Sequence, residues 1–169
     1  YLDRLKKPKN RSSVDEHSLS IDGLEVSQDD LNSLMEYEKI EILLDKLETN
    51  KNKFLEIGVG SGRTAKTILS INDKAKYVIA DLPPAINVSL RNLKVSFPDK
   101  KIAKAFEIND QQDLNSAFEK NDVLFVFPHQ IKLFQKKTFD LSIAINCLHE
   151  MDKKTIKNYM LNFEKISKS

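Results

Sequence analysis

Apolar positions along this chain follow two rhythms. In the first, Leu31, Leu34, Met35, Ile40, Leu43, Leu44 and Leu47 recur at three- and four-residue spacing. That predicts an amphipathic helix ending near Thr49-Asn50. Ser27 stands where its N-cap belongs, and Asp30 is placed to complete a capping box. From Lys53 onward the rhythm changes to short runs that are apolar throughout. Lys53 to Ile57, Tyr77 to Ala80, Asp122 to Phe127 and Phe139 to Ile145 read as strands, with Lys101 to Phe106 a shorter one. Helices are expected between them at Arg63 to Ser70, from Pro83-Pro84 with Ile86, Leu90, Leu93 and Phe97 on one face, and at Leu114 to Phe118. A last helix from about Lys153 carries Ile156, Tyr159, Met160, Phe163 and Ile166 on one side. Strands that are apolar on both faces and alternate with helices imply an α/β fold: a mostly parallel sheet covered on both faces. Its ligand edge is then the carboxyl ends of the strands.

Composition narrows the picture only a little. The 169 residues fit one domain, and 40% apolar content is in the globular range. Residues 1–26 are expected to form an irregular arm, 27–50 a helical segment, and 51–169 the sheet domain. A net charge of +2 gives no reason to expect a nucleic-acid surface. The basic start, Arg4, Lys6, Lys7, Lys9 and Arg11, reads as a solvated arm. The single cysteine, Cys147, excludes an internal disulfide and fits a reducing compartment. No apolar run approaches the ~20 residues a membrane span needs. No signal peptide is visible, so a cytoplasmic location is expected, although a chain starting at Tyr1 leaves an upstream leader or domain open. His17 has no ligand spacing with His129 and His149, and no metal motif is present.

The chemistry concentrates at Glu56-Ile57-Gly58-Val59-Gly60-Ser61-Gly62, between a strand and a helix. Glycines there permit a sharp turn and let a ligand approach the backbone, beside the free N–H groups of a helix start. A plain tight turn is the alternative. A dinucleotide loop would need a third glycine where Arg63 stands, and a phosphate-binding P-loop would need G-K-[ST] where the chain reads Gly62-Arg63-Thr64. Asp81 closes the second strand, where an acid about 20 residues past such a loop accepts hydrogen bonds from a ribose. The alternative is an Asp capping the helix at Pro83-Pro84.

The segment Glu56 to Gly62 resembles the [DE]-x-G-x-G-x-G motif of class I S-adenosylmethionine (SAM) dependent methyltransferases. Asp81-Leu82-Pro83-Pro84 and Ile145 to Met151 extend the likeness to the sugar O-methyltransferases of bacterial surface-polysaccharide clusters. The resemblance implies a Rossmann-like SAM methyltransferase fold, with S-adenosyl-L-methionine as cofactor and a small-molecule acceptor such as a sugar. It implies that Glu56 and the loop Gly58, Val59, Gly60, Gly62 hold the amino-acid end, and Asp81 the ribose. Leu82 would lie on the adenine, with His129 and Gln130 at an adenine-facing strand end and Asn146 at cofactor or substrate. His149, nine residues after Asp140, stands where one branch of the family has a catalytic base, and equally where many members have a His that only packs or caps the next helix. The sequence Asp81 to Ala85 is distinct from the [DN]-P-P-[YF] signature of DNA amino-methyltransferases, and no aromatic-basic stripe argues for a nucleic-acid acceptor. The family has seven strands, whereas this chain stops one helix after the fourth main strand, so the C-terminal strands are expected to be missing. That keeps a second reading open, a non-catalytic SAM-fold module that scaffolds a partner.

Overall fold

A computed structural model describes residues 18–21 and 24–168. Strand β1 (Ser18–Ile21) pairs antiparallel with β2 (Leu24–Ser27). Within the described residues this hairpin replaces the irregular arm expected over 1–26. Alternating Leu19, Ile21, Leu24 and Val26 flank Asp22-Gly23, a dipeptide typical of two-residue hairpins, and that signal outweighs the segment's polarity. The basic start and His17 lie outside the described residues.

Helix α1 (Gln28–Lys46) begins with the expected capping box. Ser27 Oγ accepts from Asp30 N at 3.1 Å, and the Asp30 carboxylate accepts from Ser27 N at 3.0 Å. Leu34, Tyr37, Ile40 and Leu44 are buried. Leu31, Met35, Leu43 and Leu47, predicted on the same face, are exposed instead. The buried stripe is therefore narrower than the sequence spacing implied.

Five strands follow, separated by α-helices except that a 3-10 turn at Pro128–Leu133 joins the fourth to the fifth: β3 (Lys53–Ile57), α2 (Arg63–Ile71), β4 (Lys76–Ala80), α3 (Pro83–Ser96), β5 (Ile102–Lys104), α4 (Gln111–Lys120), β6 (Val123–Val126), β7 (Leu141–Ala144) and α5 (Lys153–Ile166). They form one parallel sheet in the order β5-β6-β4-β3-β7. The short strand at 102–104 is an edge, and β6 is the neighbour of β4.

Side chains alternate across the sheet and make two cores. Phe54, Tyr77, Ile79, Phe125 and Ile143 pack beneath α1, α2 and α3. Leu55, Val78, Leu124 and Val126 pack with Leu114 and Phe118 of α4 and Tyr159 and Ile166 of α5. The result is a three-layer α/β domain consistent with a Rossmann-like fold. No helix among the described residues is long and apolar enough to cross a membrane.

The register levels the strand ends. Ile57 pairs with Ala80 and Ala144, and Ala80 pairs with Val126. Loops after β3, β4, β6 and β7 thus emerge side by side. The chain leaves β3 toward β4 on one side, while β7 flanks its other side, so β3 marks a topological switch point. Open α/β sheets bind ligands at that place.

Candidate ligand-binding site

The loop after β3 is shaped by three left-handed glycines, Gly58 (φ 63°), Gly60 (φ 55°) and Gly62 (φ 89°). Other residues rarely adopt this region without strain. Gly58 also meets the loop after β7: a Cβ added there would stand 2.3 Å from Cys147 Cβ. Cys147 is buried, and its Sγ lies 3.4 Å from the Ile57 carbonyl oxygen, so the two loops are packed backbone to side chain. Gly60 is different. A Cβ there would meet nothing within 4 Å, so the turn opens onto free space. Gly62 caps α2 with no side-chain partner, leaving that helix start without a built-in acceptor. Val59 itself is buried in the core.

Asp81 faces this turn. One carboxylate oxygen accepts from Gly60 N at 3.3 Å and the other from Leu82 N at 2.7 Å. It does not cap α3, whose N-cap is Leu82 without any side-chain hydrogen bond. The capping alternative for Asp81 is thereby removed. Leu82 is 63% exposed, an apolar surface directly beside the acid. Asn146, exposed and in the left-handed region (φ 53°), follows β7 across the switch point. The structure thus brings together Gly58, Gly60, Gly62, Asp81, Leu82 and Asn146 at one edge.

Other predicted residues are occupied elsewhere. Glu56 is 3% exposed and lies on the sheet face beneath α1 and α2. Its carboxyl accepts from the Tyr77 hydroxyl at 2.8 Å. Burial pushes its pKa up to about 8, against smaller opposing pulls from Tyr77 and Arg63. At neutral pH it is therefore largely an uncharged acid, unlike the cation-holding carboxylate expected from the motif. Gln130 is fully buried. Its oxygen accepts from Phe127 N at 2.6 Å, and its nitrogen donates to the Ala105 and Ile108 carbonyls at 2.6 and 2.7 Å. An amide so engaged splices β5 to β6 and has no surface to offer an adenine. His129 is exposed and stacks at 5.9 Å on Phe127, itself stacked at 4.3 Å on Phe106.

His149 lies in a short 3-10 turn at Leu148–Glu150. Its side chain is 72% exposed, with Glu150 3.8 Å away and equally open to solvent. Among the described residues no buried partner orients the ring. Asp140, the start of the likeness around His149, is at the opposite end of β7. Its buried carboxylate accepts from the backbone N–H groups of Asn52 and Lys53 at 2.9 and 3.0 Å and from Lys168 Nζ at 2.6 Å. Burial alone would raise its pKa, but Lys168 and the two N–H groups hold it below the usual carboxylate range. Asp140 is a structural clamp between β7 and the start of β3.

Two residues escaped the sequence reading. Arg63, which in the sequence only breaks a nucleotide motif, forms a two-pronged pair with Glu36 at 2.6 and 2.7 Å and also donates to Ser33. It fastens α1 over the start of α2. An acid four residues before the buried Ile40, and a base opening α2, were too common a pattern to signal the pair. Tyr159 read simply as core. Burial raises its pKa, with smaller contributions from Asp81 and Cys147, so α5 stands within electrostatic reach of the crevice. Among the described residues no group of His, Cys, Asp or Glu assembles that could hold a metal.

Comparison of the sequence with models of protein families and with curated proteins finds no match.

Proposed function

We propose that this protein binds S-adenosyl-L-methionine at the switch-point crevice and transfers its methyl group to a hydroxyl of a small molecule such as a sugar. The observation that carries the reading is the union of the open turn at Gly60, the Asp81 carboxylate beside it and the exposed Leu82. That set suits a ligand with a ribose, an apolar base and a compact amino-acid end. It lacks the lysine of a polyphosphate site.

The residues fit such a cofactor. Asp81 would exchange its 3.3 Å contact with Gly60 N for ribose hydroxyls. Leu82 would lie on the base, and the glycine backbone with the start of α2 would hold the amino-acid end. When bound, the cofactor supplies an electrophilic methyl on a sulfonium. The chain's own work is then positioning, with His149 taking the acceptor's proton if a base is needed. The exposure of His149 favours a second reading, a binding module without turnover, because catalytic imidazoles are ordinarily oriented by a partner.

Calorimetric titration with SAM, S-adenosylhomocysteine and NAD, using Asp81→Ala as control, tests the assignment. Binding of the first two, weakened at least tenfold by Asp81→Ala, is expected. Binding of NAD alone, or SAM binding that Asp81→Ala leaves unchanged, overturns it. His149→Ala should abolish methyl transfer and spare SAM affinity. SAM binding without a methylated product across hydroxyl acceptors would favour the binding module.

A further inference from the structure

The amino-terminal edge of the sheet, opposite the crevice, carries a cleft of about 520 Å³. Its walls come from Asn50 and the start of β3, the second half of α4, the loop before β7, and Lys168 just past α5. Four lysines line it, Lys53, Lys136, Lys137 and Lys168, against one acid, Glu119. Two of the four are engaged: Lys53 pairs with Glu119 at 2.5 Å and Lys168 with buried Asp140 at 2.6 Å. The carboxyl ends of α4 and α5 point to the same edge and add partial negative charge there. Lys136 and Lys137 are exposed and have no such carboxylate partner among the described residues. They bring two uncompensated cations to the rim.

The loop is held for this presentation. Lys137 occupies the left-handed region at φ 56°, strained for a lysine, and its N–H donates to the Lys165 carbonyl at 3.2 Å. Ser116 and Gln135 add neutral hydrogen-bonding groups to the wall. A cleft of this volume admits a metabolite and is in the size range of small-molecule sites.

We propose that this cleft is an anion site for a small phosphorylated molecule, with Lys136 and Lys137 as the phosphate ligands and Ser116 and Gln135 as neutral contacts. Lysine serves a phosphate as a mobile point charge, so no rigid fork is required. This site is independent of the cofactor crevice.

Inorganic pyrophosphate is the probe, titrated at low salt into the labelled whole chain while backbone amide resonances are followed. The Ser116 and Thr138 amides are expected to shift with a common saturating curve, while those of Gly60 and Asp81 stay still. Lys136→Gln with Lys137→Gln should weaken the affinity at least tenfold. Lys39→Gln with Lys94→Gln, the same charge change on exposed positions of the other layer, should leave it within twofold. The proposal fails if no saturation occurs, if the shifts map to the crevice, or if both double variants weaken binding alike. It also fails if a short single-stranded oligonucleotide moves the Ser116 and Thr138 amides where pyrophosphate does not, which would make the edge a nucleic-acid surface.

Discussion

Substituting Gly58 by alanine tests the packing of the two loops that frame the crevice. Gly58 and Gly60 share nearly the same backbone, φ 63° and 55°, so an added methyl group costs a similar conformational penalty at each, roughly 1–2 kcal/mol. Their surroundings differ. At Gly60 the new Cβ meets nothing within 4 Å, whereas at Gly58 it stands 2.3 Å from Cys147 Cβ and 2.8 Å from Cys147 Sγ. Carbon atoms pack at about 3.5–4.0 Å, so the β3 and β7 loops must separate by more than an ångström. Overpacking of that kind adds about 1–3 kcal/mol. Gly58→Ala should thus cost roughly 2–5 kcal/mol and Gly60→Ala only about 1–2.

Cys147→Gly isolates the clash, since it removes the atoms that collide. In the double variant Gly58→Ala with Cys147→Gly, the cost of the alanine should fall to about that seen at Gly60. The coupling energy would then be roughly 1–3 kcal/mol in the compensating sense. Urea unfolding of the four variants, compared at unchanged slope, reads this directly. Equal destabilisation by Gly58→Ala and Gly60→Ala would refute the close approach, and so would a Cys147→Gly background that gives no relief. Gly60→Ala carries a second expectation: folding nearly intact, SAM affinity reduced, because the methyl fills the space assigned to the ligand.

Two further predictions concern buried carboxyls. Glu56 keeps a proton in the folded state up to about pH 8, while the unfolded chain releases it near 4.5. Between those values the native state binds more protons, so stability should fall as pH rises, by as much as about 1.4 kcal/mol per unit. Glu56→Gln should flatten that slope while keeping an acceptor for the Tyr77 hydroxyl; an unchanged slope between pH 5 and 8 in thermal or urea unfolding would refute it. Asp140 behaves oppositely: its lowered pKa gives stability that is present above its unfolded value of 3.8 and is lost as pH falls through the folded value. Asp140→Asn should cost roughly 2–3 kcal/mol, less than a fully buried pair because Lys168 stays partly exposed, and a loss under 0.5 kcal/mol would reject the clamp.

Element order was legible because the physical signals were local and repeated. The run from Phe54 to Ile57 is apolar except for Glu56, and both its faces are covered, as a strand between two helix layers requires. Ser27 and Asp30 sufficed to mark the start of α1. The glycine turn was legible for the same reason, since three left-handed positions need residues without a Cβ. The hairpin before α1 is hidden by the polarity of its surroundings, which masks the alternation at Leu19, Ile21, Leu24 and Val26.

What stayed hidden depends on which way a side chain turns. The sequence motif counts Glu56 with the glycines, yet strand alternation sends its carboxyl to the buried face shared with Phe54 and Tyr77, beneath the start of α2. Gln130 shares a segment with His129, but one side chain is consumed inside the fold and its neighbour stacks outside. Asp140 shares a strand with the His149 segment but stands at its other end. Adjacency in sequence thus assigns residues to an edge of the sheet, while pairing with Tyr77, Ala105 or Lys168 decides whether a polar group remains available. By that criterion the groups left for a ligand are backbone at Gly60, the carboxylate of Asp81, and the open surfaces of Leu82, Asn146 and His149, and a cofactor assignment must stand or fall on those rather than on the complete motif.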